Sequence, residues 1–446
     1  MGEQHHARPR KTRTRPHDPG AGRAFGTGRL RIGVWDLVAP LARTFDMMSP
    51  ALAQHSLRVA YLALRLAEEL ELPHEERCEI AVAGTLHDIG AFSLRERLDL
   101  LTFEETSPSR HAAAGYLLLR EFPHFAGLAS LVRFHHVPWE DGRGSDRGGV
   151  PIPRGSHLLH LADRVAVLLP AERGVLGQVR EICDAAAARQ GAVFVPRFVE
   201  ALLRLAERDY VWLDLVSGGA ETALRQTLAV EETELDVPGL LALSRLVCRI
   251  IDFKSEFTAT HSSGVAATAR ELASLIGFSA RECTMFEIAA YLHDLGKLAI
   301  PSEILEKPGR LTPEEWDVMR THVYYTYQIL SPIEALGAIA AWSALHQERL
   351  DGSGYPFHFA AEDLPLGARI MAVADVFTAV TEDRPYRKGM PREDAEGLLR
   401  EMADRGELDV RVIALLLQNF DELNQARDAA QTRAVEEYEA FRTALG

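Results

Sequence analysis

Residues 286–301 read FEIAAYLHDLGKLAIP, and residues 80–95 read IAVAGTLHDIGAFSLR. Each stretch begins as an apolar run and ends in the same four-residue pattern, His-Asp-X-Gly. An apolar run of this kind that stops at a glycine is typical of a buried helix and its C-terminal end. The chain therefore carries one buried helix twice, each time with two ionisable side chains at its end.

Outward from these two stretches, histidine and aspartate recur at matching distances in both halves. In the first half, the His-Asp pair follows the first His by 32 residues. The next two His are 24 residues apart, and the last Asp follows the second of them by 28 residues. The corresponding intervals are 32, 24 and 29 residues in the second half. The conserved intervals indicate an internal duplication that repeats a site as well as a fold. The repeated residues are His55, His87, Asp88, His111, His135 and Asp163, then His261, His293, Asp294, His322, His346 and Asp375.

The repeated residues favour metal ligation. A lone histidine on an apolar helix is more often a core residue than a ligand, but nine of the 17 histidines belong to the repeat when His136 is included. Asp375 lies in an otherwise apolar stretch, where an unpaired carboxylate would cost several kcal/mol. Asp163 repeats that placement, although Arg164 offers it an ion pair. Imidazole and carboxylate without thiolate suit Fe, Mn or Zn better than Ca or Mg.

Composition excludes several classes of protein. The chain has 446 residues, 47% of them hydrophobic, a net charge of −15 and four cysteines without a CxxC pair. A disulfide framework and a thiolate zinc site are therefore not expected, and the acidic balance disfavours binding of a nucleic-acid polymer. Without a long apolar run or an apolar signal core, we expect no membrane insertion and a cytoplasmic location.

Helical periodicity runs through the chain from residue 36 onward, and alternating strand patterns are absent. We predict an all-α fold of two HD-type helical bundles related by the duplication. Residues 1–31 carry eight basic side chains against Glu3 and Asp18, a balance of 8 − 2 = +6. The predicted organisation is a disordered basic tail at 1–35, an N-terminal domain at 36–215, a linker at 216–240 and a C-terminal domain at 241–446.

The second half resembles an HD-GYP domain of the HD phosphohydrolase superfamily, from about residue 255 to 420. Beyond the repeated residues, the resemblance rests on an ordered set of short motifs. They are His293-Asp294-Leu295-Gly296-Lys297, Lys307-Pro308-Gly309, Asp351-Gly352-Ser353-Gly354-Tyr355-Pro356, Val373-Ala374-Asp375 and Asp383-Arg384-Pro385-Tyr386-Arg387. The first half is similar to an ordinary HD domain without the Gly-Tyr-Pro motif, so the whole chain resembles the tandem HD plus HD-GYP group.

The resemblance implies a helical bundle that holds two divalent metals, usually iron or manganese, and hydrolyses a cyclic dinucleotide. Cyclic di-GMP is the first expected substrate and cyclic GMP-AMP the second. By position, one metal would be held by His261, His293, Asp294 and Asp375, and Asp294 would bridge to a second metal held by His322 and His346. Catalysis would use Asp294 and Lys297, and the substrate side would use Gly354, Tyr355, Pro356, Arg384 and Arg387.

One departure from the HD-GYP pattern concerns the second metal. The family has a His-His pair where this chain has His346-Gln347, so Gln347 is expected to be at most a weak ligand. The alternative is a catalytically weak protein that senses a cyclic dinucleotide or acts as a scaffold.

The first half keeps the His-His pair as His135-His136 but has Ala91 where Lys297 stands. Its second expected metal site comprises His55, His87, Asp88, His111, His135, His136 and Asp163. Three interpretations stay open for it: a separate nucleotide phosphohydrolase, a metal-dependent sensor, or a decayed structural repeat. Buried ligands without a metal are costly, which favours a metal-bound site over decay. A homodimer is a further expectation.

Overall fold

The computed structural model describes residues 32–47, 49–101, 109–169, 174–228, 234–254, 260–307, 309–383 and 388–445. These residues form an all-α fold, as predicted, with four two-residue strands. The first half contains α1 Val34–Asp46, α2 His55–Glu69, α3 His74–Leu86, α4 Leu94–Leu100, α5 Ser109–Leu119, α6 Ala126–Arg133, α7 Arg154–Val167, α8 Val179–Ala187, α9 Pro196–Ala206, α10 Asp209–Ser217 and α11 Gly219–Leu228.

The second half contains α12 Val237–Phe253, α13 His261–Ile276, α14 Ala280–Leu292, α15 Ser302–Leu305, α16 Pro313–Leu330, α17 Gly337–Ala344, α18 Leu366–Thr381, α19 Arg392–Asp404, α20 Val410–Gln418 and α21 Phe420–Leu445. Strands β1 Ile32–Gly33 and β4 Glu234–Leu235 pair antiparallel, as do β2 Asp146–Arg147 and β3 Val150–Pro151. No helix in these described ranges is both long enough and apolar enough to cross a membrane.

Helix starts follow the local sequence. Ser279 and Glu282 form a capping box at the start of α14, and Thr312 and Glu315 form one at the start of α16. Each box pairs two backbone N–H groups that a helix end would otherwise leave without partners. Both starts carry the Ser/Thr-X-X-Glu pattern that marks a helix N-terminus in a sequence.

The duplication appears as matched helices in the two bundles. Helices α2, α3, α5, α6 and α7 of the first half correspond to α13, α14, α16, α17 and α18 of the second. In each half the first two of these helices pack together, and the first also packs on the last. The first, second and last helices of each set therefore pack in the same way in both bundles.

The glycine of the His-Asp-X-Gly turn is required by packing. A Cβ on Gly296 would lie 1.9 Å from the carbonyl oxygen of His322, and one on Gly90 would lie 2.2 Å from that of His111. The sequence suggested these glycines as helix stops. The structure gives a different reason, because the turn packs directly against the helix that carries the next histidine.

The predicted boundaries differ from the structure in two places. The predicted linker at 216–240 contains helix α11, whose Ala220, Leu224 and Leu228 are buried against the first bundle. These three apolar residues are spaced four apart with mostly polar residues between them, so the sequence did not indicate a packed helix. The predicted tail at 1–35 includes Ile32 and Trp35, which are also buried. Residues 1–31 lie outside the described part of the chain.

The two halves meet beside their His-Asp-X-Gly turns. Helix α1 of the first half packs on α16 and on the short 3-10 helix Leu295–Ala299 of the second half. Buried Arg97 donates to the carbonyls of Asp88 and Ala91, at 2.9 Å each. Buried Lys254 donates to the carbonyls of Lys297, Leu298 and Ile300 at 2.6–3.2 Å. Burial, and then repulsion from Arg97, lower the pKa of Lys254 to about 7.

Candidate metal centres and active site

The first group of ligands in the second half joins three helices. His261 is the first residue of α13, His293 follows the last residue of α14, and Asp375 lies in the middle of α18. All three side chains are buried, and each offers one ligand atom within 4.8 Å of the others. His261 Nε2 lies 3.0 Å from Asp375 Oδ1. The structure thus brings together three residues that are up to 114 positions apart.

The second group in this half is centred on Asp294. Its Oδ2 lies 3.2 Å from His293 Nε2, and its Oδ1 lies 3.4 Å from His322 Nε2. His346 joins this group, with ligand atoms of His293, Asp294 and His346 within 4.8 Å of one another. Asp294 therefore faces both histidine groups with different oxygens, which is the arrangement that a bridging carboxylate needs.

The histidine rings are oriented as metal ligands. Nδ1 of His293, His322 and His346 contacts the backbone carbonyl three residues earlier, at 2.6, 2.6 and 2.7 Å. Because a carbonyl only accepts, each Nδ1 carries the proton and each Nε2 offers a lone pair. Nε2 of His322 and His346 is buried and makes no hydrogen bond within the described residues. These nitrogens fit a divalent cation.

Electrostatics agree with this fit. Burial lowers the pKa of His322 to about 4 and that of His346 to about 3. Both imidazoles are therefore neutral at neutral pH, which is the form that coordinates a metal. Burial opposes ionisation of Asp294, but His293 and then Lys297 outweigh it and hold its pKa well below the usual range. The centre thus combines the neutral imidazoles of His322 and His346 with an ionised carboxylate.

Lys297 contacts Asp294 at this centre. Its Nζ donates to Asp294 Oδ2 at 2.5 Å, and its side chain is 18% exposed. The ammonium group therefore lies between the buried carboxylate and solvent. A positive charge in this position can contact an anionic group that approaches the centre from outside.

Glu382 contacts this centre and was missed in the sequence. His261 Nδ1 donates to the Glu382 carboxylate at 3.1 Å, and Gln431 Nε2 of α21 donates to the same carboxylate at 2.9 Å. A carboxylate on the far nitrogen fixes a ligand histidine and makes it more basic. Glu382 is 121 residues from His261 and immediately precedes the Asp383-Arg384 motif, so no local pattern marks it.

We expect Glu382→Gln to weaken metal binding at His261 by about 10- to 100-fold, as is typical when such a partner is changed. The amide can still accept from His261 Nδ1, so the ring stays in place while the negative charge is lost. A calorimetric titration with the metal measures the change in affinity. An unaltered affinity in the folded variant would show that Glu382 only packs against His261.

Gln347 makes a contact that the sequence did not anticipate. Its Nε2 donates to Asp375 Oδ2 at 3.0 Å. The side-chain amide therefore supports a ligand of the first group. Its expected role as a weak ligand of the second metal stays a prediction.

The Gly-Tyr-Pro loop folds back on the start of the same segment. A Cβ on Gly354 would lie 2.3 Å from the backbone nitrogen of Arg349, so only glycine fits there. Buried Glu348 accepts from the backbone N–H groups of Phe357 and Phe359 at 2.7 and 3.1 Å. The peptide bond between Tyr355 and Pro356 is cis. Glu348 thus fixes the loop beside His346.

Of the residues predicted for substrate contact, Arg384 and Arg387 lie outside the described part of the chain. Gly354, Tyr355 and Pro356 lie within it, on the loop fixed by Glu348. Their contact with substrate stays a prediction.

The first half assembles all seven predicted ligands into two groups. One group is His55, His87 and Asp163, and the other is Asp88, His111, His135 and His136. Asp88 again faces both groups, at 3.3 Å from His87 Nε2 and 3.3 Å from His111 Nε2. His136 occupies the position that Gln347 has in the second half. Its Nε2 lies 2.9 Å from His111 Nε2. Every ligand in these groups is buried.

The first half differs from the second around its ligands. Arg164 donates to Asp163 Oδ2 at 2.7 Å, as the sequence allowed. Ala91 is fully buried where Lys297 stands in the other half. His160 is also buried, with its ring centroid 5.9 Å from that of His136.

Each half also has a buried aspartate that contacts the serine next to its first histidine, and this aspartate was not predicted from the sequence. Asp46 accepts from Ser56 Oγ at 3.0 Å, and Asp252 accepts from Ser262 Oγ at 3.0 Å. Burial raises the pKa of Asp46 to about 6 and that of Asp252 to about 7. The signal was present, because an Asp precedes a Ser by ten residues in both halves.

Known proteins share these features. Family models described as HD domains match residues 52–168 and 245–412. The 3'3'-cGAMP-specific phosphodiesterase 1 of Vibrio cholerae is 30% identical over 398 residues, which cover 86% of this chain and 91% of that protein. The 3'3'-cGAMP-specific phosphodiesterase 3 of V. cholerae is 33% identical over 423 residues, covering 82% and 90%.

A crystal structure of a cyclic GMP-AMP specific phosphodiesterase from V. cholerae shares the fold, with a TM-score of 0.60 and 24% identity. The match covers 88% of this chain and 98% of that one. The two HD-domain matches and the near full-length relatives agree with the two repeated sets of His and Asp. The chain therefore belongs to the HD-GYP family of cyclic-dinucleotide phosphodiesterases, with an ordinary HD domain in its first half and an HD-GYP domain in its second.

Proposed function

We propose that the second half hydrolyses one phosphodiester bond of a cyclic dinucleotide at a two-metal centre, with 3'3'-cGAMP as the preferred substrate. The observation that carries this proposal is the placement of Asp294. One buried carboxylate faces His293 with one oxygen and His322 with the other, and Lys297 contacts it from the solvent side. The alternatives of a sensor without activity and of a separate mononucleotide hydrolase are not favoured by the relatives.

The residues that would hold the metals are His261, His293 and Asp375 for one and His322 and His346 for the other, with Asp294 shared. Two bound divalent cations would supply an acidified water and stabilise the charge on the attacking and leaving oxygens. Imidazole and carboxylate ligands suit iron or manganese.

The chain's own side chains would orient the substrate. Lys297 provides a fixed positive charge for the phosphate that is cleaved, because its ammonium group is already held by Asp294. Burial, and then Asp375 and Asp294, raise the pKa of the Tyr355 hydroxyl well above its usual range. Tyr355 therefore keeps its proton at neutral pH and can only donate to, not attack, a phosphate oxygen.

The extent of the matches supports the proposed substrate preference. The relatives that match over both halves are named 3'3'-cGAMP-specific, whereas the cyclic di-GMP phosphodiesterase response regulator of Xanthomonas campestris matches 46% of this chain. This reverses the order expected from the sequence, in which cyclic di-GMP came first. The test is kcat/KM for both substrates with the same manganese-loaded enzyme. A higher value for cyclic di-GMP would refute the preference.

We also propose that the first half binds metal at its own two groups. Burial lowers the pKa of His135 and of His136 well below the usual range, so both rings are neutral. Nδ1 of His87 and His135 contacts the carbonyl three residues earlier, at 2.7 and 2.6 Å, as in the second half. The test is metal analysis of the full chain. Two equivalents that all depend on the second-half ligands would contradict this proposal.

The second half has Gln347 at the position that His136 occupies in the first half. This difference predicts that the two halves bind their second metals with unequal affinities. We expect Gln347→His to increase the affinity of the second half for its second metal by about tenfold, because an imidazole is a stronger ligand than an amide. The measurement is the metal concentration that gives half-maximal hydrolysis. A variant that needs more metal than the parent would show that the amide contact with Asp375 matters more.

A further inference from the structure

Trp316 is an exposed aromatic residue close to the proposed active site. It lies in the first turn of α16 and is 46% exposed, whereas Trp35, Trp212 and Trp342 are buried. Its ring centroid lies 6.2 Å from that of Tyr355, at 79°. The indole is therefore partly open to solvent next to the Gly-Tyr-Pro loop.

Tyr355 connects Trp316 to the metal ligands. Its backbone N–H donates to the Gln347 carbonyl at 3.2 Å, and the Gln347 side chain donates to Asp375 at 3.0 Å. A series of contacts therefore runs from Trp316 through Tyr355 and Gln347 to Asp375 of the first group. A ligand that reaches the metals with a phosphate would place its nearest base in this region.

Arg320 adds a positive charge on the same side. It lies one turn after Trp316 on α16, with its guanidinium 5.3 Å from the centroid of the Tyr355 ring. Its nearest acidic contact is Asp317, at 3.8 Å on the exposed helix surface. The side chain is 38% exposed, so this pair is weak and leaves the guanidinium able to contact an anion.

We propose that Trp316 stacks on a purine base of the bound cyclic dinucleotide, with Tyr355 as the edge of the same subsite and Arg320 beside it. This inference rests on the proposed function, since it takes a purine dinucleotide as the substrate. An aromatic face binds any base, and losing such a face typically weakens binding by about 5- to 150-fold. Trp316 then contributes to KM and leaves the chemistry at the metals unchanged.

The sequence of the first half has neither an aromatic nor a basic residue at the two matching positions. His322 corresponds to His111, an offset of 322 − 111 = 211, and the same offset places Glu105 and Ser109 at the positions of Trp316 and Arg320. The proposed subsite therefore belongs to the half with Lys297 and the Gly-Tyr-Pro motif.

The test compares Trp316→Ala and Trp316→Phe with the parent, and uses Tyr324→Ala as the matched control. Tyr324 is 43% exposed on the same helix and contacts Tyr325 and Tyr327. Each manganese-loaded full-length protein is assayed with 3'3'-cGAMP and with bis(p-nitrophenyl) phosphate, which has no purine. Calorimetry measures binding of the dinucleotide independently of turnover.

We expect Trp316→Ala to raise KM and Kd for the dinucleotide about tenfold, with kcat within twofold and hydrolysis of bis(p-nitrophenyl) phosphate unchanged. Trp316→Phe and Tyr324→Ala stay within threefold of the parent. Equal losses on both substrates, or an unchanged Kd in Trp316→Ala, would overturn the proposal. If the parent binds the dinucleotide but does not cleave it, the proposed function fails while the calorimetric comparison still decides the role of Trp316.

Discussion

Asp294→Asn is expected to lose about a thousandfold in kcat/KM for cyclic-dinucleotide hydrolysis. The substitution keeps the shape of the side chain but removes the charge that faces both histidine groups and Lys297. Removing one partner from a buried ionic cluster costs about 3–5 kcal/mol, which is comparable with a thousandfold loss of metal binding. The measurement combines steady-state kinetics with metal analysis of the purified variant.

Asp88→Asn is the matched control, because Asp88 occupies the same place in the first half. We expect it to lower the metal content of the protein while dinucleotide hydrolysis stays within about threefold of the parent. If Asp88→Asn abolished hydrolysis and Asp294→Asn left it intact, the assignment of the active half would be reversed.

Lys297→Ala is the second variant with a large expected effect. We expect kcat to fall by about 10²- to 10³-fold, the range found when one fixed electrostatic donor is removed from an active site. The metal content is expected to be unchanged, because Lys297 contacts Asp294 without itself being a ligand. Kinetics and metal analysis on the same preparation separate the two effects.

Lys307→Ala controls for loss of a positive charge. Lys307 is 31% exposed in its side chain and pairs with Glu315 away from the ligands. Its removal is expected to change kcat by less than twofold. A Lys297→Ala protein that retained full kcat, or one that lost its metal, would show that Lys297 does not act on the substrate phosphate.

The clustering of these histidines and aspartates could be predicted from the sequence because the duplication repeats them at nearly constant intervals. Each ligand lies at a helix end or within an apolar helix, where a polar side chain stands out. His261 and Asp375 are 114 residues apart, yet both were found this way, and the structure brings them to 3.0 Å.

The surroundings of the ligands could not be predicted in the same way. Glu382 follows the last residue of α18 and Gln431 lies on α21, and both helices reach the region of His261 by packing against α13. The amide contact of Gln347 with Asp375 likewise depends on side-chain direction, which spacing does not give. The close approach of Gly296 to His322 needed the relative positions of two helices. The residues that surround the ligands are thus brought together by contacts between distant segments of the chain.

The separation of the two halves was predicted only in outline. Helix α11 belongs to the first bundle because three apolar residues at four-residue spacing are buried there. Strand β1 pairs with β4 across the boundary, Ile32 with Leu235. The start of the described chain is therefore joined to the start of the second half, and α1 packs on the turn that carries Lys297.

The most direct test of the central claim is hydrolysis by the purified, full-length chain. The protein is loaded with manganese or iron, its metal content is measured, and it is incubated with 3'3'-cGAMP while products are separated by liquid chromatography. The account predicts a linear dinucleotide from the loaded protein and none after chelation. Intact 3'3'-cGAMP and intact cyclic di-GMP after incubation with protein shown to carry metal at the second-half ligands would contradict it.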